Sequence, residues 1–484
     1  MKLPKPTFKM MSFPARLGFP VRVGLCLGLL LIVVTIGIWV AYAFDPRFVN
    51  WGNYMTWPRA LILSALLIGA SVSTWLAVRI WFGGGFCPDR QIDREFTAGI
   101  QAMRTRGITP ASLPIHVLLG SPSSEKSTQF VSRTNLQLRC DTQTEYPATI
   151  QWLASSQAIT LSPIDCGLLN LTLKQLDINS QGICSQQAKG KSSEAIDPLL
   201  ATLQRAGLEP GDSAMLPVGN LLKFISNQPG QAKSKIYSDA EATLAQDRLQ
   251  QVCERLNKVR EPLCPINHLV IRLPAPVLLQ HPSYAAEIGR ALRYDLELIR
   301  ETLGLDVAVS VVVEGWQHHP GFVELIRRLG PHAVETLLPG CHCNVESEST
   351  SKQLTAIADR ACADIENHIY EIFQRPDALT HAGNSRLYQL LSDVRVILRP
   401  VLTEILVGGL AQRDSDAGLQ RTVPISGCFL MATGETPPFQ GFAAPFGKHA
   451  ESLQERIAWH SRQVRTDRVC RLASRLTLAL SLLF

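Results

Sequence analysis

Two long apolar runs open the chain. Val23–Phe44 (VGLCLGLLLIVVTIGIWVAYAF) carries no charge and is long enough to span a bilayer. Leu61–Trp81 is a second such run, with Arg79 near its end where a long side chain reaches the interface. Beyond them the apolar positions come in short bursts separated by helical periodicity. Ile115–Leu119 reads as a buried strand, and Thr149–Leu161 as two strands with a turn near Ser155-Ser156. His268–Leu273, an amphipathic helix over Ala285–Leu303 and Val307–Val313 form a strand–helix–strand run, which predicts a βαβ unit and a parallel sheet. Helices are further predicted over 90–106, Ser193–Ala206, Ala240–Val259, Gln353–Phe373 and Ser385–Val407, and a strand over Thr422–Thr433.

The pattern divides the chain into a basic N-terminus (1–22), a two-helix transmembrane hairpin (23–82) and an α/β domain (83–345) with an insertion at about 175–240. A helical extension ending in a strand (346–458) and a tail (459–484) follow. The predicted fold class is therefore membrane-anchored α/β, with a mostly parallel P-loop-like sheet. A cleavable leader ending near Ala41-Tyr42-Ala43 is the rival reading of the first run, which is longer than an ordinary leader core. The tail starts basic and ends LTLALSLLF. It reads either as a basic amphipathic end lying on the inner leaflet or as a truncated third span.

Charge sets the orientation. Lys2, Lys5, Lys9, Arg16 and Arg22 precede the first run, and Arg90, Arg94, Arg104 and Arg106 follow the second. Positive-inside counting puts both ends of the hairpin in the cytoplasm, with Trp51, Tyr54 and Trp57 as interfacial aromatics between the runs. A multi-pass inner-membrane protein with most of its mass in the cytoplasm is the expectation. The net charge of +6 is modest and dispersed, so nucleic acid is not indicated as a partner. Twelve cysteines on the cytoplasmic side should be mostly reduced. Cys341-His342-Cys343 is the one dense cluster of metal-ligating types. It lacks a second C-x-C or C-x-x-C to complete four ligands, so it is read as a loop without metal, as is the pair His318-His319.

The stretch Leu113–Thr128, LPIHVLLGSPSSEKST, poses the chemical question. A strand turns at Gly120 into a polar loop that reaches Lys126-Ser127-Thr128. That is the layout of the phosphate loop G-x-x-x-x-G-K-[ST], with Glu125 where the second glycine belongs. Such a loop holds phosphate with backbone N–H groups and the positive end of a helix. A glutamate there brings like charge: at about 4 Å and an effective dielectric near 20, on the order of 4 kcal/mol per unit charge. Gly120, Lys126 and Ser127 are the candidate phosphate-contact residues, with no catalytic and no metal-ligand residue assigned.

In order and spacing these features resemble the N-terminal half of the IcmF/TssM inner-membrane proteins of type VI secretion systems. Pro265–Val270 resembles that family's P-L-N-G strand. Thr302-Leu303-Gly304, Val307–Val313 and Pro320-Gly321-Phe322 resemble its next strand and following P-G-F, and Ile425–Glu435 its closing R-G-V-Y-F-T-S-G segment. The family's D-T-A-G strand end corresponds to Ile159–Asp165, with Ser162 in place of the magnesium-side aspartate, which phosphoryl transfer needs to hold the metal. Its T-K-x-D falls at Glu314-Gly315-Trp316-Gln317. The resemblance thus implies a scaffold with a degenerate nucleotide loop and no enzyme activity, needing no cofactor. Its implied partners are secretion-complex inner-membrane and baseplate proteins, membrane lipid and copies of itself. The alternatives are an ATP- or GTP-binding switch using magnesium with Lys126, Ser127 and an acid such as Asp165, or an anchor in another envelope process.

Overall fold

The computed structural model describes residues 89–121, 123–134, 138–141, 148–188, 236–261, 263–345, 349–376, 378–411, 423–436, 438–454 and 456–459, with isolated positions elsewhere. The chain divides into two units: Pro88–His460, and Met1–Cys87 together with Ser461–Phe484. Only the first is described at length.

It opens with α1 (Arg90–Thr105), whose N-cap Asp89 accepts from the Gln91 N–H. β1 (Ile115–Leu119) is buried at every position and leads through Gly120 into α2 (Ser124–Arg133), capped by Ser123. A meander of β2 (Leu138–Asp141), β3 (Ile150–Ser155) and β4 (Ile159–Pro163) precedes α3 (Leu168–Ala188). Next, α4 (Asp239–Arg260) starts with a reciprocal capping box between Ser238 and Glu241. Then come β5 (His268–Pro274), α5 (Ala275–Gln280), α6 (Ala285–Leu303), β6 (Leu305–Val307) and β7 (Val309–Glu314). They are followed by α7 (Pro320–Leu329), α8 (Pro331–Thr336), β8 (Gly340–His342) and α9 (Ser351–Phe373). A nearly continuous rod follows: α10 (Asn384–Asp393), a π-helical turn (Val394–Leu398) and α11 (Arg399–Leu410). β9 (Ile425–Leu430), β10 (Ala432–Thr433), β11 (Gln440–Gly441), α12 (Ala443–Ser452) and β12 (Ile457–Trp459) end the unit.

Eight strands make one sheet in the order β2-β3-β4-β1-β5-β7-β9-β8. β4, β1, β5, β7 and β9 run parallel. β2 and β3 at one edge and β8 at the other are antiparallel to their neighbours. The sheet is therefore mixed rather than mostly parallel, because short connections fold β2, β3 and β4 back on one another. β1, β5, β7 and β9 are buried along their whole length, as parallel strands covered on both faces must be. The βαβ unit expected at 268–313 is present as β5, α6 and β7, with Leu269 opposite Val309 and Val313 opposite Leu273. β9, at the end of the predicted helical extension, pairs inside this sheet between β7 and β8.

The transmembrane hairpin is corrected. Among the described residues no helix is long and apolar enough to cross a membrane. A span needs about 20 predominantly apolar residues, whereas the longest helices here break that run with charge: Lys174 and Asp177 in α3, and acids and bases throughout α4 and α9. The runs Val23–Phe44 and Leu61–Trp81 lie outside the described residues except for Gly28, Leu31, Gly69 and Ser73. The multi-pass arrangement is likewise not supported among the described residues. The predicted helix at Ser193–Ala206 and the apolar end of the tail also lie outside the described residues.

Candidate functional site

The chain leaves β1 toward β4 on one side and returns to β5 on the other. The crevice beyond the C-terminal ends of β1 and β5 is thus the topological switch point, where open α/β sheets place ligands. Gly120 stands at its mouth with φ +85. A Cβ there would lie 2.0 Å from the Arg272 carbonyl oxygen, so backbone packs on backbone.

Gly120, Lys126, Ser127, Ser162 and Asp165 each already have a partner within the chain. The N–H groups of Gly120 and Ser121 both donate to Asn170 Oδ1, the second at 3.0 Å. Ser127 is fully buried. Its hydroxyl bonds Ser121 Oγ, lies 3.0 Å from the Ser123 carbonyl and 2.9 Å from Ser162 Oγ. Lys126 reaches Asp177 on α3 at 3.0 Å. Asp165 pairs with Lys174 at 2.6 Å rather than turning to the crevice. Glu125 is exposed in the first turn of α2, where the positive end of the helix favours it. His318, just past β7, is lowered by burial and then by the Lys126 charge.

The residue that fills the crevice is Arg272 of β5, with no exposed surface. Its guanidinium donates to Ser121 Oγ at 2.6 Å and to the Lys126 carbonyl at 3.1 Å, and it forms a tight ion pair with Glu314 at the end of β7. Its Cζ lies 4.7 Å from the centroid of the Phe130 ring. Sequence reasoning missed it, although an arginine inside the apolar run HLVIRL was a legible signal: a charge there needs a buried counter-charge.

α3 is seated by a second missed residue, an acid. Asp295 of α6, fully buried, accepts from the N–H groups of Leu168 at 2.8 Å and Leu169 at 2.9 Å. Gly167, φ +86, clears the space: a Cβ there would meet Asp295 Oδ2 at 2.5 Å. Burial pushes this carboxyl up to about 7 against the pull of those two donors. Asp295→Ala is expected to cost about 1–3 kcal/mol through the orphaned helix N-terminus. Asp295→Asn, which keeps one acceptor oxygen, should recover part of that, as read by urea unfolding.

Residues 242–466 match the family model of the IcmF-related N-terminal domain. Over that stretch, just under half of its length, the chain is IcmF/TssM-like. The match supports an IcmF-like component of type VI secretion, and association with the inner membrane goes with that family. No curated protein and no solved structure matches it. The matched segment starts inside α4, so the IcmF-related domain contains Arg272, Asp295 and Glu314 while the Gly120–Thr128 turn lies before it. Within that domain His319 caps α7 by accepting from the Gly321 N–H at 3.1 Å and bonds Asp393 at 3.0 Å through Nε2. Cys341 and His342 lie in β8 rather than in a loop, because β9 supplies that edge with a partner. Among the described residues no group of three or more His, Cys, Asp or Glu has a metal-holding arrangement.

Proposed function

We propose that this IcmF-like protein is a nucleotide-independent scaffold of the secretion complex. In this reading the Pro88–His460 unit docks inner-membrane and baseplate components, and the chain self-associates against the membrane. The carrying observation is the Arg272 guanidinium, held in the switch-point crevice by Ser121, the Lys126 carbonyl and Glu314. A magnesium nucleotide does not fit the residues present. Magnesium is ordinarily held through one or two carboxylates plus the phosphate oxygens, and Ser127 here faces the Ser162 hydroxyl. The backbone donors of Gly120 and Ser121 are taken by Asn170, and the Lys126 charge is balanced by Asp177. In place of an apparatus for phosphate, the turn holds α2, α3 and β5 together.

Calorimetric titration of the purified full-length chain with ATP and with GTP in magnesium tests this. No binding heat up to millimolar nucleotide is the expected result; magnesium-dependent micromolar binding of either would overturn the reading. Any residual phosphate contact would run through Gly120, Lys126 and Ser127. Lys126→Ala gives the genetic counterpart. Its pair with Asp177 is two-fifths exposed on the lysine side, so the change should cost at most about 1 kcal/mol and leave secretion intact. Loss of secretion with the fold preserved would revive the switch alternative.

A further inference from the structure

Among the described cysteines one pair stands apart. Cys140, Cys166, Cys253, Cys362 and Cys428 are buried, and burial pushes each of these thiols up, into the inert protonated form. Cys341 is buried as well, but the end of β8 brings it together with Cys343. Two residues apart on an extended edge, they share a face, and their sulfurs lie 3.9 Å apart. Cys341 sits opposite Cys428 of β9, and the Cys343 N–H donates to the Ser426 carbonyl at 2.8 Å just beyond the strand. α9 closes over them: Asp364 accepts from the Gly340 N–H at 2.9 Å. Arg360, one turn earlier, brings a positive charge that favours the Cys341 thiolate. Cys343 is only half-buried, which leaves a route in from solvent.

We propose that Cys341 and Cys343 form a covalent modification site, oxidised by small disulfides to an intrachain Cys341–Cys343 disulfide. The proposal does not depend on the scaffold reading. The Cys341 sulfur is the nucleophile. The hydrogen bond from the Cys343 thiol draws Cys341 down to about 7, burial opposing and the Arg360 guanidinium helping, with Asp364 acting against it. The same hydrogen bond raises Cys343, with burial and the neighbouring Cys341 and Cys428 adding to it. Cys341 thiolate attacks a disulfide RSSR, giving Cys341–S–SR and RS⁻. The Cys343 thiol, passing its proton to that RS⁻, then attacks the Cys341 sulfur and expels a second RS⁻, which takes a proton from water. Two protein thiols are oxidised and one small disulfide is reduced to two thiols. Bonded sulfurs sit about 2 Å apart, so the pair closes by roughly half its present separation. Cys343 lies past the end of β8, and the movement falls on that chain end rather than on the paired strand.

The test uses the full-length chain in glutathione buffers, quenched with iodoacetamide and digested with trypsin. Peptide Leu329–Lys352 contains Cys341 and Cys343 and no other cysteine. In the folded chain this peptide should become lighter by two hydrogens, and lose free thiol about tenfold faster than peptides carrying Cys166 or Cys253. Cys343→Ser should stop at a mixed disulfide on Cys341. Arg360→Gln should slow the first step and move its pH midpoint upward, a change that mere exposure of the pair would not produce. The proposal is overturned if the folded chain closes the pair no faster than the denatured chain, or if Arg360→Gln leaves the rate and its pH midpoint unchanged.

Discussion

Arg272→Ala should destabilise the Pro88–His460 unit by about 3–5 kcal/mol, the range for removing one member of a buried ion pair. The side chains of Arg272 and Glu314 are 1% and 5% exposed. Deleting the guanidinium therefore leaves a carboxylate at the end of β7 with neither water nor counter-charge. It also takes the donors from Ser121 Oγ and from the Lys126 carbonyl, and the cation from the Phe130 ring. Replacing both partners together, Arg272→Met with Glu314→Leu, should recover most of the loss, because no buried charge then remains. Urea unfolding of the full-length chain followed by tryptophan fluorescence reads both variants, since Trp316 is buried two residues past Glu314. A loss below about 1 kcal/mol for Arg272→Ala, the size of an exposed pair, would mean that the guanidinium does not anchor the crevice. The scaffold reading would then lose its main support.

What the sequence disclosed and what it hid follow from sequence separation. β5 and β7 were legible because a strand covered on both faces is apolar at every position, and HLVIRL and VAVSVVV have that character. The strand-to-helix turn at Gly120 was legible from local composition alone, with Lys126-Ser127 falling in the first turn of α2. Asn170 was invisible as the acceptor for Gly120, 50 residues away, and so was Asp295 as the cap of α3, 127 residues from Leu168. Neither has a local pattern, since the contact exists only after the sheet has assembled. β9 was readable as a strand, but its seat between β7 and β8 depends on pairing across the whole of α7 to α11. β8 spans only Gly340–His342, too short for alternation to register, so its cysteines read as loop. The π-helical turn at Val394–Leu398 slips the helical phase by a single residue, less than a periodicity count detects. Arg272 is the instructive case: its anomaly lay in plain view, and asking where its counter-charge sat would have led to Glu314.

Lowering the pH from 7 to 4.5 should weaken the wild-type chain by about 2–3 kcal/mol more than a His116→Leu variant. His116 on β1 is held by burial at about 4, against 6.5 for an ordinary imidazole. Its Nε2 has no hydrogen-bond partner. Around it, His268 stacks edge-on at 5.4 Å, and Glu451 shares with Thr160 and Thr134 the lining of a small cavity of ≈ 20 Å³. Above pH 6.5 neither state protonates this ring, and stability is unaffected. Between 6.5 and 4 the unfolded chain takes up a proton that the folded chain refuses, so stability falls as pH falls, by about 1.4 kcal/mol per pH unit. Below 4 both states are protonated and the loss levels off. His268, bonded to Ser310 at 2.8 Å, is lowered in the same direction by burial and by its histidine neighbours, and His449 is lowered to about 4. Asp295 works the other way: raised to about 7, it binds a proton in the folded state first and adds stability as pH falls toward 4. Asp295 and His449 are common to both chains, and His116→Leu also relieves His268 of one neighbouring charge, so the difference between wild type and variant reads the stacked His116–His268 pair. Stability curves that run parallel from pH 7 to 4.5 would show that His116 is solvated or paired in the folded chain, and would remove the buried-histidine account of its acid sensitivity.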